Sequence, residues 1–370
     1  MRAGRIVEEA GILAVFAALA ALGAVPRSAR GEPYIAVATG LKCASCHVSP
    51  TGGGKRTIYG DVYAQTDLAA RTLSMGKQGP WTGELSERFA IGGDVRAGID
   101  AVDTPGTERR NEFDVEQGTA YAEFRAIPGL LTVYADQQFA PGGSTNRELY
   151  ALLTSDASKY HLKVGRMFLP FGWRLQDDTA FVRQASGINY ETPDRGVEAG
   201  LELPKWSAQA VLSNGTAGGG ETDAGKQVSL SAVYVRPMWR LGASYNVNNA
   251  DLGDREMQGV FVGARTGPVA WLAEVDYIAD EAPGGRRRIY ASLLEGNWRL
   301  RKGHNLKLSY EFLDPDRGAA DDQQERYSLV WEYAPIPLLQ ARLGVRVYNG
   351  IAAIATTNRN EVFAELHAHF

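Results

Sequence analysis

The sequence predicts an all-β fold: a transmembrane antiparallel β-barrel of about 16 strands, preceded by a short N-terminal segment of different character that sits at or in the lumen. Three observations lead there. Apolar and polar residues alternate with a period of two through successive stretches, so each strand has one apolar face. The connections alternate between short Pro/Gly-bearing turns and longer polar loops, as they do when the two kinds collect at opposite ends of a barrel. After residue 31 there is no run of about 18 apolar residues, so a chain that enters a membrane must do so as a closed barrel.

Residues 1–31 read as a secretory signal. Arg2 and Arg5 open it, an apolar run from Ala10 to Val25 follows, and Ala29 and Gly31 put small residues at −3 and −1 of a cut before Glu32. The expected location is the bacterial outer membrane, reached by export. The composition agrees: 42 glycines and 16 tyrosines suit strands and turns better than helices. A net charge of −4, with basic runs no longer than pieces such as Arg286-Arg287-Arg288, speaks against nucleic acid as a partner.

The region 82–370 repeats strand, turn, strand, loop. Leu306, Leu308, Tyr310 and Phe312 alternate with polar residues, as do Tyr327, Leu329, Trp331 and Tyr333. Val362, Ala364, Leu366, Ala368 and Phe370 continue the pattern to the end of the chain. Strands are expected to begin near 85, 114, 130, 146, 160, 196, 206, 226, 239, 256, 269, 287, 304, 325, 338 and 359. Short turns such as Pro128-Gly129, Pro204-Lys205 and Lys302-Gly303 belong to the periplasmic end, and the long loops to the outside. A soluble sandwich would alternate similarly, but would need neither aromatic rims nor the split in connection length. The terminal Phe370, on the apolar face of the last strand, resembles the end of bacterial outer-membrane proteins.

Residues 32–81 hold both cysteines, in Cys43-Ala44-Ser45-Cys46-His47. In C-x-x-C-H two thiols can attach haem through thioethers while the adjacent histidine ligates the iron. Coincidence would produce this spacing and order about once in ten thousand such chains. A redox dithiol would call for a helix in a βαβ setting, and a structural zinc for four ligands; this Gly-rich, all-β context has no second cysteine pair. One covalent haem c is therefore expected, with Cys43 and Cys46 as attachment points and His47 as proximal ligand. Gly52-Gly53-Gly54 either lets backbone approach the ring or barrel wall, or is a flexible linker.

The stretch "LKCASCHVSPTGGGKRTIYGDVYAQT" resembles the one-haem segment of fused outer-membrane cytochrome–porins, of which iron-oxidising outer-membrane cytochromes are the best-known members. "VGRMFLPFGWRLQDD" is similar to the strand-to-loop signature of phosphate-selective-type porins. Together the two resemblances span the mature chain, and they imply a signal at 1–31, a monohaem c-type segment at 32–81 and a porin-like barrel at 82–370. The "SPTGGG" run after His47 departs from the iron oxidases and leaves the substrate open.

For a sixth ligand, period two sends His367 and His369 into the lumen at the periplasmic end, and Met75 is the nearest downstream thioether. His161 has the same inward parity. The third long loop, about 171–195, is expected to fold inward and set Asp177 and Asp178 against Arg174 and Arg183. The functional expectation is an electron relay through one haem, between an extracellular electron donor or acceptor, iron among them, and periplasmic electron carriers such as soluble cytochromes. The competing expectation is a passive solute or anion porin in which the segment is a plug or structural element; a periplasm-facing sensor is a third.

Overall fold

The computed structural model describes residues 32–72, 79–155, 158–177, 179–188, 192–221, 223–251, 253–282 and 285–370. The expected signal at 1–31, Met75 and Asp178 lie outside the described residues. Among the described residues, three short helices come first: α1 Pro33–Thr39, α2 Cys43–Cys46 and α3 Ile58–Tyr63. Proline at the start of α1 and left-handed Gly40 after it (φ 75°) mark the two ends where each residue type is favoured.

Sixteen strands then close into one antiparallel barrel. The first four are β1 Phe89–Asp103, β2 Arg110–Ile127, β3 Leu131–Ala140 and β4 Thr145–Thr154. After β5 Tyr160–Met167 comes a fourth helix, α4 Phe181–Ser186, then β6 Asp194–Leu203, β7 Trp206–Ser213 and β8 Gln227–Val235. The next four are β9 Trp239–Asn248, β10 Arg255–Thr266, β11 Val269–Ala282 and β12 Gly285–Arg301. The last four are β13 His304–Asp314, β14 Gln324–Ile336, β15 Leu339–Asn349 and β16 Asn360–His369. Each strand pairs with its chain neighbour, and β16 pairs with β1 to remove the sheet edges. The backbone of Phe370 exchanges two hydrogen bonds with Gly93, at 2.9 and 3.0 Å. A Cβ on Gly93 would stand 2.7 Å from the Phe370 ring, so glycine there admits the terminal aromatic.

The polarity of the wall is that of a membrane barrel. Leu230, Leu308, Leu329, Val345 and Leu366 are exposed on the outside, while inward-facing neighbours such as Ser229, Ser231, Lys307, Ser328, Glu365 and His367 are polar or charged and buried. Trp206, Tyr234 and Trp239 contact one another at the short-turn rim (centroids 4.9 and 5.6 Å), as do His304, Trp331 and Tyr333. Inside, desolvation makes a lone charge costly, and several of the charges are met by partners. Glu198 receives both Lys163 (3.1 Å) and His161 (2.9 Å), and Arg342 reaches Glu365 at 3.2 Å.

The lumen is occupied by two pieces of chain. Residues 32–72 sit at the short-turn end and bond to the wall all round it: Lys55 N donates to Tyr134 Oη (3.0 Å, β3), Tyr34 Oη to Glu332 (3.0 Å, β14) and Ala70 N to Ala334 O (2.8 Å). The β5–β6 connection folds inward, as expected, burying Phe168, Phe171, Trp173, Phe181 and Val182. Of the charged constriction expected within this loop, Asp177 takes other partners than those expected, and Asp178 lies outside the described residues. Asp177 bonds instead to Arg326 (2.9 Å, β14) and Arg346 (3.1 Å, β15), and Arg174 donates to Thr51 of the N-terminal segment (2.6 Å). The wall arginines compete successfully because inward parity aims them at the loop from a rigid sheet.

Candidate functional site

Cys43 and Cys46 lie on α2, a single turn that the following residue closes: His47 N donates to Cys43 O at 3.0 Å. One helical turn brings positions three apart to the same side, which is what a two-point attachment to one planar group needs. After His47 the chain reverses and returns antiparallel, with Val48 N bonded to Lys55 O and Thr57 N to Cys46 O, each at 3.0 Å. The reversal uses Gly52, Gly53 and Gly54 in succession at φ 88°, 77° and 62°. The glycine run is therefore a turn that only glycine makes cheaply, rather than a linker. Thr57 caps α3 by accepting from Gly60 N (3.2 Å), and a Cβ on Gly60 would come 2.2 Å from Cys46 O, so α3 packs closely on the cysteine turn.

Of these three glycines Gly54 is the one pressed on the wall, because a Cβ there would lie 2.2 Å from Tyr134 Oη. Gly54→Ala is expected to cost about 1–2 kcal/mol for left-handed backbone and about 1–3 kcal/mol for overpacking. The result should appear as at least tenfold faster amide exchange at Val48 and Lys55. Gly79→Ala, also at positive φ (69°) but with nothing within 4 Å, supplies the control.

The thiols and His47 open onto a cavity of about 1260 Å³, part of it continuous with solvent. Its far wall is Leu169, Phe171, Trp173 and Phe261, with Trp173 edge-on to Phe261 at 5.0 Å; Gln209, Ser231, Val235 and Arg240 complete it from β7–β9. Gly172 lets the loop press on β11, where a Cβ would overlap Glu274 and Trp173 N donates to that carboxylate (2.8 Å). Arg56, Arg174 and Arg240 bring three guanidiniums to the lining. Arg240 is anchored by Ala36 O (2.5 Å) and Leu41 O (2.8 Å).

Burial, reinforced by Arg56 and Arg174, pushes the His47 imidazole down to about 3, so it is neutral at ordinary pH. Its Nδ1 is buried with no hydrogen-bond partner. Burial likewise raises the Cys43 and Cys46 thiols, opposite to the depressed value of a nucleophilic dithiol. Cys43 has exposed surface only in the sense that it faces this cavity, and the described cysteines are not joined by a disulfide. Asp61, beside Lys55 and Arg56, is pushed up to about 6 by burial against the pull of those cations. A neutral buried imidazole, two unbridged thiols on one turn, an apolar far wall and cationic edges suited to carboxylates together fit a covalent haem.

The structure does not bring His367 and His369 to this cavity. Both face inward as their parity requires, yet His367 is bonded to Asp94 (2.8 Å) and His369 to Arg56 (2.6 Å), and the two rings stack at 4.7 Å. Arg174 and Trp173 lie on the loop expected to fold inward, but neither they nor Arg240 and Phe261 were legible as neighbours of the cysteines; for Arg240 the signal was its inward parity on β9.

No family model matches the chain, and no curated protein does. Solved structures do. OprB of Pseudomonas putida aligns with TM-score 0.63 at 9% identity over 83% of this chain and 100% of that one. An anion-selective porin from Comamonas acidovorans gives 0.60 at 10% (76% and 99% covered), and the outer-membrane channel DcaP of Acinetobacter baumannii 0.58 at 14% (76% and 97%). At these identities the likeness is one of architecture, and it shows that the chain has the porin barrel fold.

Proposed function

We propose that this protein is an outer-membrane, porin-fold barrel that holds one covalent haem c in the periplasmic half of its lumen and relays electrons between an extracellular donor or acceptor and periplasmic carriers. The observation that carries the proposal is the convergence of Cys43, Cys46 and His47 on one cavity in the lumen. Bound there, the haem supplies one-electron exchange. The chain's own part is to attach it through Cys43 and Cys46 and present the neutral His47 imidazole. Leu169, Phe171, Trp173 and Phe261 exclude water from its face, while Arg56, Arg174 and Arg240 offset carboxylate charge.

The likeness to solute channels favours a second reading, a passive porin in which residues 32–81 form a plug. Liposomes with ferricyanide trapped inside and Fe(II) added outside separate the two. The relay predicts ferricyanide reduction that His47→Ala abolishes; large steady ion conductance without haem-dependent reduction would establish the passive porin instead.

A further inference from the structure

We infer that the short-turn end carries a docking surface for an acidic soluble electron-carrier protein, built from a basic arc on four consecutive turns beside the cavity. The identity of the partner rests on the electron-relay reading; the surface itself does not. Lys205 lies between β6 and β7, Arg236 between β8 and β9, Arg265 at the β10–β11 turn, and Arg299, Arg301 and Lys302 at the β12–β13 turn. These turns, 203–206, 235–239, 265–269 and 299–304, contain no aspartate or glutamate. All six cations are exposed except Arg265, which is half-buried. Of the nearby carboxylates, Glu202 is engaged by Lys42 (3.0 Å) and Glu84 by Arg125 (2.6 Å), while the exposed Asp67 accepts from Thr66 (2.9 Å).

The arc is local. The cavity wall comes from β7–β10, which the first three of these turns border, and the β12–β13 turn continues the arc beyond β11, whereas the turns Pro128-Gly129-Leu130 and Pro335-Ile336-Pro337-Leu338 carry no charge. Two guanidiniums are drawn over the mouth: Arg265 donates to Ala38 O (2.8 Å) and Arg299 to Asp67 O (2.5 Å), both in the lumen segment. Bonds to neutral carbonyls orient these side chains without cancelling their charge, and aim it at a body covering the mouth rather than at lipid headgroups outside the barrel. A single-sign field around a cleft raises association rates by about 10–1,000-fold and is screened by salt.

The test uses the full-length protein in phosphatidylcholine nanodiscs, with flavodoxin as an acidic electron-carrier probe and basic cytochrome c as its opposite. Flavodoxin should associate at least tenfold faster than cytochrome c, and at least tenfold more slowly at 200 mM than at 20 mM salt. Lys205→Glu/Arg236→Glu/Arg301→Glu should lower its on-rate at least tenfold, while Arg286→Glu/Arg287→Glu at the other end leaves it unchanged. Cys43→Ser/Cys46→Ser, without haem, should bind flavodoxin as the parent does, so failure of the haem reading and failure of the docking surface are read separately. Salt-independent association, equal rates for both probes, an unaffected triple variant, or loss of binding when phosphatidylglycerol is added to the disc would each overturn the inference, the last by assigning the arc to lipid.

Discussion

Replacing Cys43 and Cys46 together by serine is expected to abolish covalent haem, measured as the pyridine haemochrome of denatured protein after expression with a working maturation system. The parent should carry one haem per chain. Serine is nearly isosteric with cysteine, and neither thiol is bridged, so no covalent link of the fold is lost. The barrel should therefore survive, migrating differently with and without boiling as the parent does. His47→Ala should separate attachment from ligation: haem stays covalent through the thioethers, while its spectrum changes. Covalent haem retained in the double serine variant, or absent from the parent, would sink the haem assignment.

The second large effect is on conductance. Removing residues 32–72 should raise single-channel conductance at least tenfold, because a sixteen-strand barrel encloses a lumen wide enough for water and this segment occupies its short-turn half. The segment is held by contacts on β3, β6, β14 and β16 rather than at one hinge, so a partial opening is not expected in the parent. Heat-modifiable migration checks that the truncated barrel has folded. Unchanged conductance in a folded barrel would mean that the inward β5–β6 loop closes the pore alone, through Asp177 to Arg326 and Arg346.

Strand positions were legible to within about four residues, since inside and outside alternate strictly along every membrane strand and that signal is local. The largest differences were at the first two strands, expected near 85 and 114 and found from Phe89 and Arg110. There Phe89 N turns back to Ser86 O before pairing begins, and β2 pairs with β1 beyond the expected start at Asp114. The same parity correctly turned His161, His367 and His369 inward. It says nothing about what a side chain meets across the lumen. His369 meets Arg56, 313 positions away, rather than the cavity. Asp177 was matched to arginines close in sequence, and meets arginines 149 and 169 positions away.

The sequence by itself determined the barrel, its strand number, the outward apolar face and the two thiols with their histidine, because each of these is a pattern over a few consecutive residues. Tertiary structure alone decided where those thiols face and what surrounds them. Arg174, Trp173, Arg240 and Phe261 come from the inward loop, β9 and β10, and meet only once the sheet has closed and both lumen segments are seated. The basic arc has the same origin: six cations scattered over about a hundred residues of sequence become one surface because hairpin turns at alternate connections land on the same end of a closed barrel.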